Sequence, residues 1–75
     1  MPELPQVNAR EIGAALGRLG FEYKRQRGGH AIHKHAGTGR RAVVPTHGGR
    51  DIAPGTLRAI LQEAGITTEE FVAVL

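Results

Sequence analysis

The chain has 75 residues, the size of one small domain, and we expect residues 1–75 to form a single domain. It contains no cysteine, which excludes disulfides and thiolate metal sites. No apolar run approaches the ~20 residues that a membrane span requires, and the first residues lack the basic start and apolar core of a secretion signal. We therefore expect a cytoplasmic protein without a membrane partner.

Charge is distributed unevenly along the chain. The net charge is +3, yet no acidic residue occurs between Glu22 and Asp51. This basic segment, residues 23–50, carries a formal charge of +7 and all four histidines. Soluble surfaces usually mix both signs of charge, so such a segment indicates a polyanionic partner such as RNA. Histidine adds a side chain that transfers protons in both directions near neutral pH.

The first predicted element is a helix over residues 9–19. Asn8 and Glu11 have the spacing of a capping box at its start, and Gly20 is suited to follow its end. Between these signals, apolar residues recur at helical spacing, namely Ile12, Ala15, Leu16 and Leu19. One face of this helix is therefore expected to pack on a core.

Three short strands are predicted next, separated by glycine-rich turns. They comprise residues 21–25, residues 30–35 and residues 41–44. Connections this short cannot make a parallel crossover, so we expect an antiparallel meander. Residues 46–50 are predicted to be a loop.

Two helices are predicted after this loop. Pro54 suits the first turn of a helix, and Gly65 suits its C-terminal end. Thr67 and Glu70 form a second capping box, which starts a short final helix. The order is α-β-β-β-α-α, so the fold class is α+β with a three-stranded antiparallel sheet. We expect the helices to cover one face of this sheet, leaving the other face wet and basic.

Several blocks of residues match a known family in order and spacing along nearly the whole chain. The blocks are Gly20-Phe21, Arg25 to His30, Val44 to His47, Gly55 to Leu61, and Ala64-Gly65-Ile66. Together they resemble the HicA family of bacterial toxins. The resemblance implies a double-stranded-RNA-binding-like α-β-β-β-α fold. It also implies an mRNA interferase that cleaves RNA until a partner antitoxin of the HicB type masks it.

The resemblance further implies a catalytic residue. The catalytic histidine of the family ends a Gly-Ser-His motif, and the matching position here is His30. Histidine suits proton transfer during attack of the RNA 2′-hydroxyl on the neighbouring phosphate, a reaction that requires no metal or other cofactor. The serine of the motif is Gly29 in this chain. This departure keeps open a second function, a non-catalytic RNA-binding module on the same fold.

Cationic side chains and a flexible turn are the candidate RNA contacts. Cations stabilise the charge that develops at phosphorus, and glycine lets the backbone approach a phosphate closely. The candidate RNA-binding residues are Lys24, Arg25, Arg27, Gly28, Gly29, Lys34, Arg40, Arg41 and His47. His47 could instead stabilise its own loop. A third, weaker function is a protein-interaction domain whose basic face binds only an acidic partner.

Two further histidines raise the question of a metal site. His33 and His35 lie two residues apart and are expected to project to the same face of a strand. With His30 or His47 they would supply part of a zinc shell, but the basic segment has no carboxylate or cysteine to complete it. We therefore predict no metal, and we expect these histidines to be exposed, in contact with phosphate or without a role.

Overall fold

A computed structural model describes residues 4–46 and 49–75. Its elements are α1 (Ala9–Arg18), β1 (Phe21–Arg27), β2 (His30–His35), β3 (Arg41–Pro45), α2 (Pro54–Ala64) and α3 (Thr68–Ala73). The strands form one antiparallel sheet in the order β1-β2-β3. The predicted α+β class, the antiparallel meander and the short C-terminal helix are therefore confirmed.

The helix ends are defined by the signals that the sequence contains. The Asn8 side chain accepts a hydrogen bond from the Glu11 amide at 2.9 Å, and the Glu11 carboxylate accepts one from the Asn8 amide at 3.0 Å. Thr67 and Glu70 make the same reciprocal pair at the start of α3. Gly65 ends α2 with a left-handed φ of 74°. No helix in the described ranges is long and apolar enough to cross a bilayer.

The core lies between the helices and one face of the sheet. α3 contributes Phe71, which is fully buried, whereas Val72 and Leu75 remain largely exposed. The segment before α1 is tied to the segment before α2, because the Ile52 amide donates to the Val7 carbonyl at 2.7 Å. The buried apolar cluster comprises Val7, Ile12, Ala15, Leu16, Phe21, Ala42, Val44, Leu57, Ile60, Leu61, Ala64 and Phe71.

A β-bulge in β1 changes which of its side chains face the helices. Tyr23 pairs with His33, but the next pair is Arg25 with Ile32, so Lys24 is an extra residue between them. The alternation of β1 is therefore shifted by one residue from this point onward. The sequence predicted regular alternation through residue 25, and the strand also continues two residues beyond the predicted end.

Candidate functional site

The helices leave one face of the sheet uncovered, and we call it the outer face. In β2 and β3, buried residues alternate with residues that are only partly buried or exposed. Residues that lie directly opposite each other on neighbouring strands share a face, which extends the assignment to β1. The outer face comprises Glu22, Arg25, Arg27, His30, Ile32, Lys34, Arg41, Val43 and Pro45.

The bulge at Lys24 is the reason that Arg25 and Arg27 belong to the outer face. Strict alternation would have put both on the helix side with Tyr23. After the bulge, Arg27 lies directly opposite His30. Cβ atoms of such pairs are about 4.5–5.5 Å apart, so a phosphate at His30 is within reach of the Arg27 guanidinium.

The outer face presents four cations and one acidic residue, Glu22. Arg25, Arg27, Lys34 and Arg41 are exposed, and within the described ranges none of them forms an ion pair. Lys34 lies directly opposite Arg41 on one side, an arrangement that costs stability, and opposite Glu22 on the other, which partly offsets that cost. Clusters of like charge that destabilise the fold are expected at functional sites, where a bound ligand of opposite charge compensates for them. A polyanion would supply the missing charge.

His30 follows directly on a two-residue turn that the end of β3 supports. Gly28 has a φ of 58°, whereas Gly29 does not have a positive φ. This pattern matches a type II′ turn, whose first central position favours glycine. The Thr46 amide donates to the Gly29 carbonyl at 2.7 Å, and the Thr46 hydroxyl donates to the same oxygen at 3.0 Å. His30 is exposed and begins β2 directly after a turn that Thr46 stabilises through two hydrogen bonds.

Sequence analysis missed the second residue that supports this turn. The Gln26 side-chain amide donates to the Gly28 carbonyl at 3.1 Å and to the Thr46 hydroxyl at 2.6 Å. Gln26 and Thr46 are 20 residues apart, and nothing in their sequence spacing connects them. Their proximity becomes visible only once the register of all three strands is known.

His33 is buried, which corrects the expectation that it is exposed. It shares the helix side of β2 with His35, as predicted, and is 7% exposed. Its ring makes an edge-to-face contact with Tyr23, with centroids 5.7 Å apart. α1 approaches the imidazole at Gly13, where a Cβ would lie 3.5 Å from Cε1. Burial lowers the pKa of His33, because desolvation disfavours the charged imidazolium.

His35 is a structural residue of the β2–β3 connection rather than one without a role. Its Nδ1 accepts hydrogen bonds from the backbone amides of Gly37 at 2.9 Å and Thr38 at 3.0 Å. Its ring also packs edge-to-face on Phe21, with centroids 5.1 Å apart. Gly20 leaves room for this ring, since a Cβ there would lie 2.8 Å from Nε2. The half-buried imidazole thus organises the turn.

The side chain of Arg40, a predicted RNA contact, packs against the C-terminal end of α2. The Arg40 guanidinium donates to the Glu63 carbonyl at 3.5 Å, near the C-terminus of α2. The same side chain packs so closely on Gly65 that a Cβ there would lie 2.9 Å from it. His47 lies outside the described residues, so its role stays a prediction.

The histidines of β2 do not converge on a metal position. His30 lies on the outer face, whereas His33 and His35 lie on the helix side. Among residues 4–46 and 49–75, no three His, Cys, Asp or Glu side chains form a group that could hold a metal ion. Alternation along a strand is what separates these side chains.

A comparison with known families matches most of this chain. The family described as HicA toxin of bacterial toxin–antitoxin matches residues 9–66. This chain belongs to the HicA toxin family. The matched residues run from α1 through α2 and include the whole outer face of this HicA chain, while α3 lies beyond the match. No curated protein matches the chain.

Proposed function

We propose that this HicA chain is an mRNA interferase that uses His30 for proton transfer and is neutralised by a HicB-type antitoxin. Family membership supports the role of a toxin in a toxin–antitoxin system. The observation that carries the enzymatic proposal is the outer face, on which an exposed histidine shares one sheet surface with Arg25, Arg27, Lys34 and Arg41.

The proposed reaction is an internal transesterification of RNA. The 2′-oxygen forms a bond to the adjacent phosphorus, the bond from phosphorus to the 5′-oxygen breaks, and a 2′,3′-cyclic phosphate results. The proton of the 2′-hydroxyl must be removed, and the leaving 5′-oxygen must gain one. His30 is the proposed group for this proton transfer. Arg27, directly opposite in register, is suited to stabilise the charge of the phosphorane.

The outer face favours recognition of the RNA backbone over recognition of bases. Same-face residues along a strand are about 7 Å apart, so cations on three strands form a grid rather than a single pocket. The aromatic residues of β1, Phe21 and Tyr23, belong to the helix side. The described strands therefore offer no aromatic platform for stacking on the outer face. Phosphate contacts are expected to dominate the affinity.

Inhibition by an antitoxin follows from the same surface. The proposed phosphate contacts project from a sheet that the helices leave uncovered, so an outside partner is the proposed means of closing it. An acidic segment of a HicB-type antitoxin would occupy the positions of the phosphates and exclude RNA by competition. Opposite charges would also accelerate its association.

Replacing His30 tests the enzymatic proposal. Purified His30→Ala protein should lose about 10²–10⁴-fold in cleavage rate, because a proton-transfer group is removed. RNA affinity and the free energy of unfolding should change little, because His30 is exposed. In bacteria, the unaltered chain should arrest growth and degrade mRNA, and the variant should do neither. Unchanged cleavage by the purified variant would move the catalytic assignment elsewhere.

A second candidate function is a non-catalytic RNA-binding module. The observation that favours it is Gly29, which stands where the family motif has serine. The same experiment separates the two candidates, since a binding module would retain RNA affinity in both proteins and cleave RNA in neither.

A further inference from the structure

The turn before His30 consists of two glycines, the residue type with the greatest backbone freedom. Because Gly28 and Gly29 lack a Cβ, no side chain within the turn restricts the backbone that leads into β2. The structure compensates with side-chain hydrogen bonds from outside the turn. The Gln26 amide and the Thr46 hydroxyl contact each other at 2.6 Å, and each also donates to one carbonyl of the turn.

The donors and acceptors of this group are used consistently. The two hydrogens of the Gln26 amide go to the Gly28 carbonyl and to the Thr46 hydroxyl. The hydroxyl accepts that bond and donates its single hydrogen to the Gly29 carbonyl. Both turn carbonyls are therefore fixed by one connected network. We call these two side chains, Gln26 and Thr46, the turn clamp.

Gln26 of the turn clamp lies on the helix side of the sheet, opposite to the outer face that carries His30. Gln26 pairs with Ala31, which is buried on the helix side, whereas the neighbouring Arg27 pairs with His30 on the outer face. The Gln26 side chain is thus not part of the surface on which RNA is proposed to lie. Any effect of the clamp on catalysis must pass through the backbone of the turn.

We propose that Gln26 and Thr46 are positioning residues that hold the Gly28-Gly29 turn so that His30 meets the RNA 2′-hydroxyl or 5′-oxygen in a productive geometry. The inference rests on the proposed function of His30. Displacement of a catalytic group by about 1 Å can cost about 10²-fold in rate. Hydrogen bonds near the surface contribute little to global stability by comparison, so the clamp is expected to matter more for catalysis than for folding.

The test compares Thr46→Val, which removes the hydroxyl at nearly the same side-chain volume, with Thr46→Ser, which keeps the hydroxyl. Thr46→Val should lower kcat about 10–100-fold while KM for RNA stays unchanged, and Thr46→Ser should restore kcat. Gln26→Met should resemble Thr46→Val. The double variant should be no worse than the more impaired single variant, because the two side chains act in one network.

A matched control is available at the other end of the sheet. The Thr38 hydroxyl accepts a hydrogen bond from the Arg40 amide at 3.2 Å in the connection between β2 and β3. Thr38→Val removes a comparable bond without touching the turn clamp, so its kcat should equal that of the unaltered chain. An equal loss of kcat in Thr38→Val and Thr46→Val would overturn the proposal.

Hydrogen exchange at the amide of His30, whose pairing with Arg27 closes the turn, gives a readout that does not depend on cleavage. Thr46→Val should accelerate this exchange, whereas Thr38→Val should not. Unchanged exchange, or an unchanged kcat in Thr46→Val, would overturn the clamp. If the unaltered chain does not cleave RNA, or if His30→Ala cleaves as well as the unaltered chain, the proposed function fails. The exchange measurement would then still decide whether the clamp orders the turn.

Discussion

The buried imidazole of His33 couples the folding of this HicA chain to pH. Burial lowers the pKa of His33 in the folded state below the usual histidine value of about 6.5, which the unfolded chain retains. Between these two pKa values the unfolded chain binds more protons. The stabilising contribution of neutral His33 is therefore complete above about pH 6.5 and is lost as pH falls through the folded-state pKa.

His33→Gln should remove this pH dependence. Urea unfolding at about pH 7.5 and about pH 5 measures the free energy of unfolding of both proteins across the relevant range. The loss on acidification should be larger for the unaltered chain than for His33→Gln. Equal losses in the two proteins would mean that the buried imidazole does not control acid stability.

The two glycines of the turn should respond differently to substitution. Gly28 has a positive φ and open space around its Cβ position, so the cost of Gly28→Ala is backbone strain of about 1–3 kcal/mol. Gly29 does not have a positive φ, so its backbone accepts an L-residue. Gly29→Ser, which restores the serine of the family motif, should be neutral or stabilising by up to about 1 kcal/mol.

Denaturant midpoints measured side by side test this difference. Gly28→Ala should unfold at a lower denaturant concentration than the unaltered chain, and Gly29→Ser should not. Destabilisation of Gly29→Ser to the same extent as Gly28→Ala would contradict the assignment of a type II′ turn. The comparison also shows whether glycine in place of the motif's serine at position 29 changes the stability of the fold.

At the scale of elements, β1 is the strand whose irregularity builds the site. Deletion of Lys24 should remove the bulge and make Tyr23 and Arg25 neighbours with unchanged partners on β2, so that Arg25 and Arg27 stay on the outer face. Lys24→Ala keeps the bulge and removes the same charge, so it is the matched control. Both changes should reduce the dependence of RNA affinity on salt by no more than about 0.9 units of slope, the contribution of one cation. A much larger loss of affinity for the deletion than for Lys24→Ala would show that the local twist of the bulge itself shapes the RNA surface.

At the scale of the whole molecule, the distribution of cations matters more than their number. Replacing Arg25 and Arg41 on the outer face with glutamine should flatten the plot of log K for RNA against log salt by about 1.5, since each phosphate contact contributes about 0.7–0.9. Replacing Arg10 and Arg58, which are exposed on α1 and α2, changes the net charge equally. This control should leave the slope nearly unchanged. Equal slopes for both variants would indicate non-specific attraction and would refute the outer face as the RNA surface.

The sequence by itself determined the elements and their order. Capping boxes, Pro54 and Gly65 act within a few residues along the chain, so local chemistry was enough to place the helices. Short glycine-rich connections likewise fixed an antiparallel meander. The same local signals carried the family motifs, including the position of His30 after a turn.

Only the tertiary structure decided which side chains share a surface. The bulge at Lys24 depends on pairing between β1 and β2, and it reverses the faces of Arg25 and Arg27 without a signal in the sequence. Burial of His33 depends on how closely α1 approaches β2, and the contact between Gln26 and Thr46 depends on the register of strands far apart in the chain. Side-chain direction in a sheet changes with a shift of one residue. A pattern of residue types therefore predicts that a basic segment exists, while non-local pairing determines which of its cations meet His30.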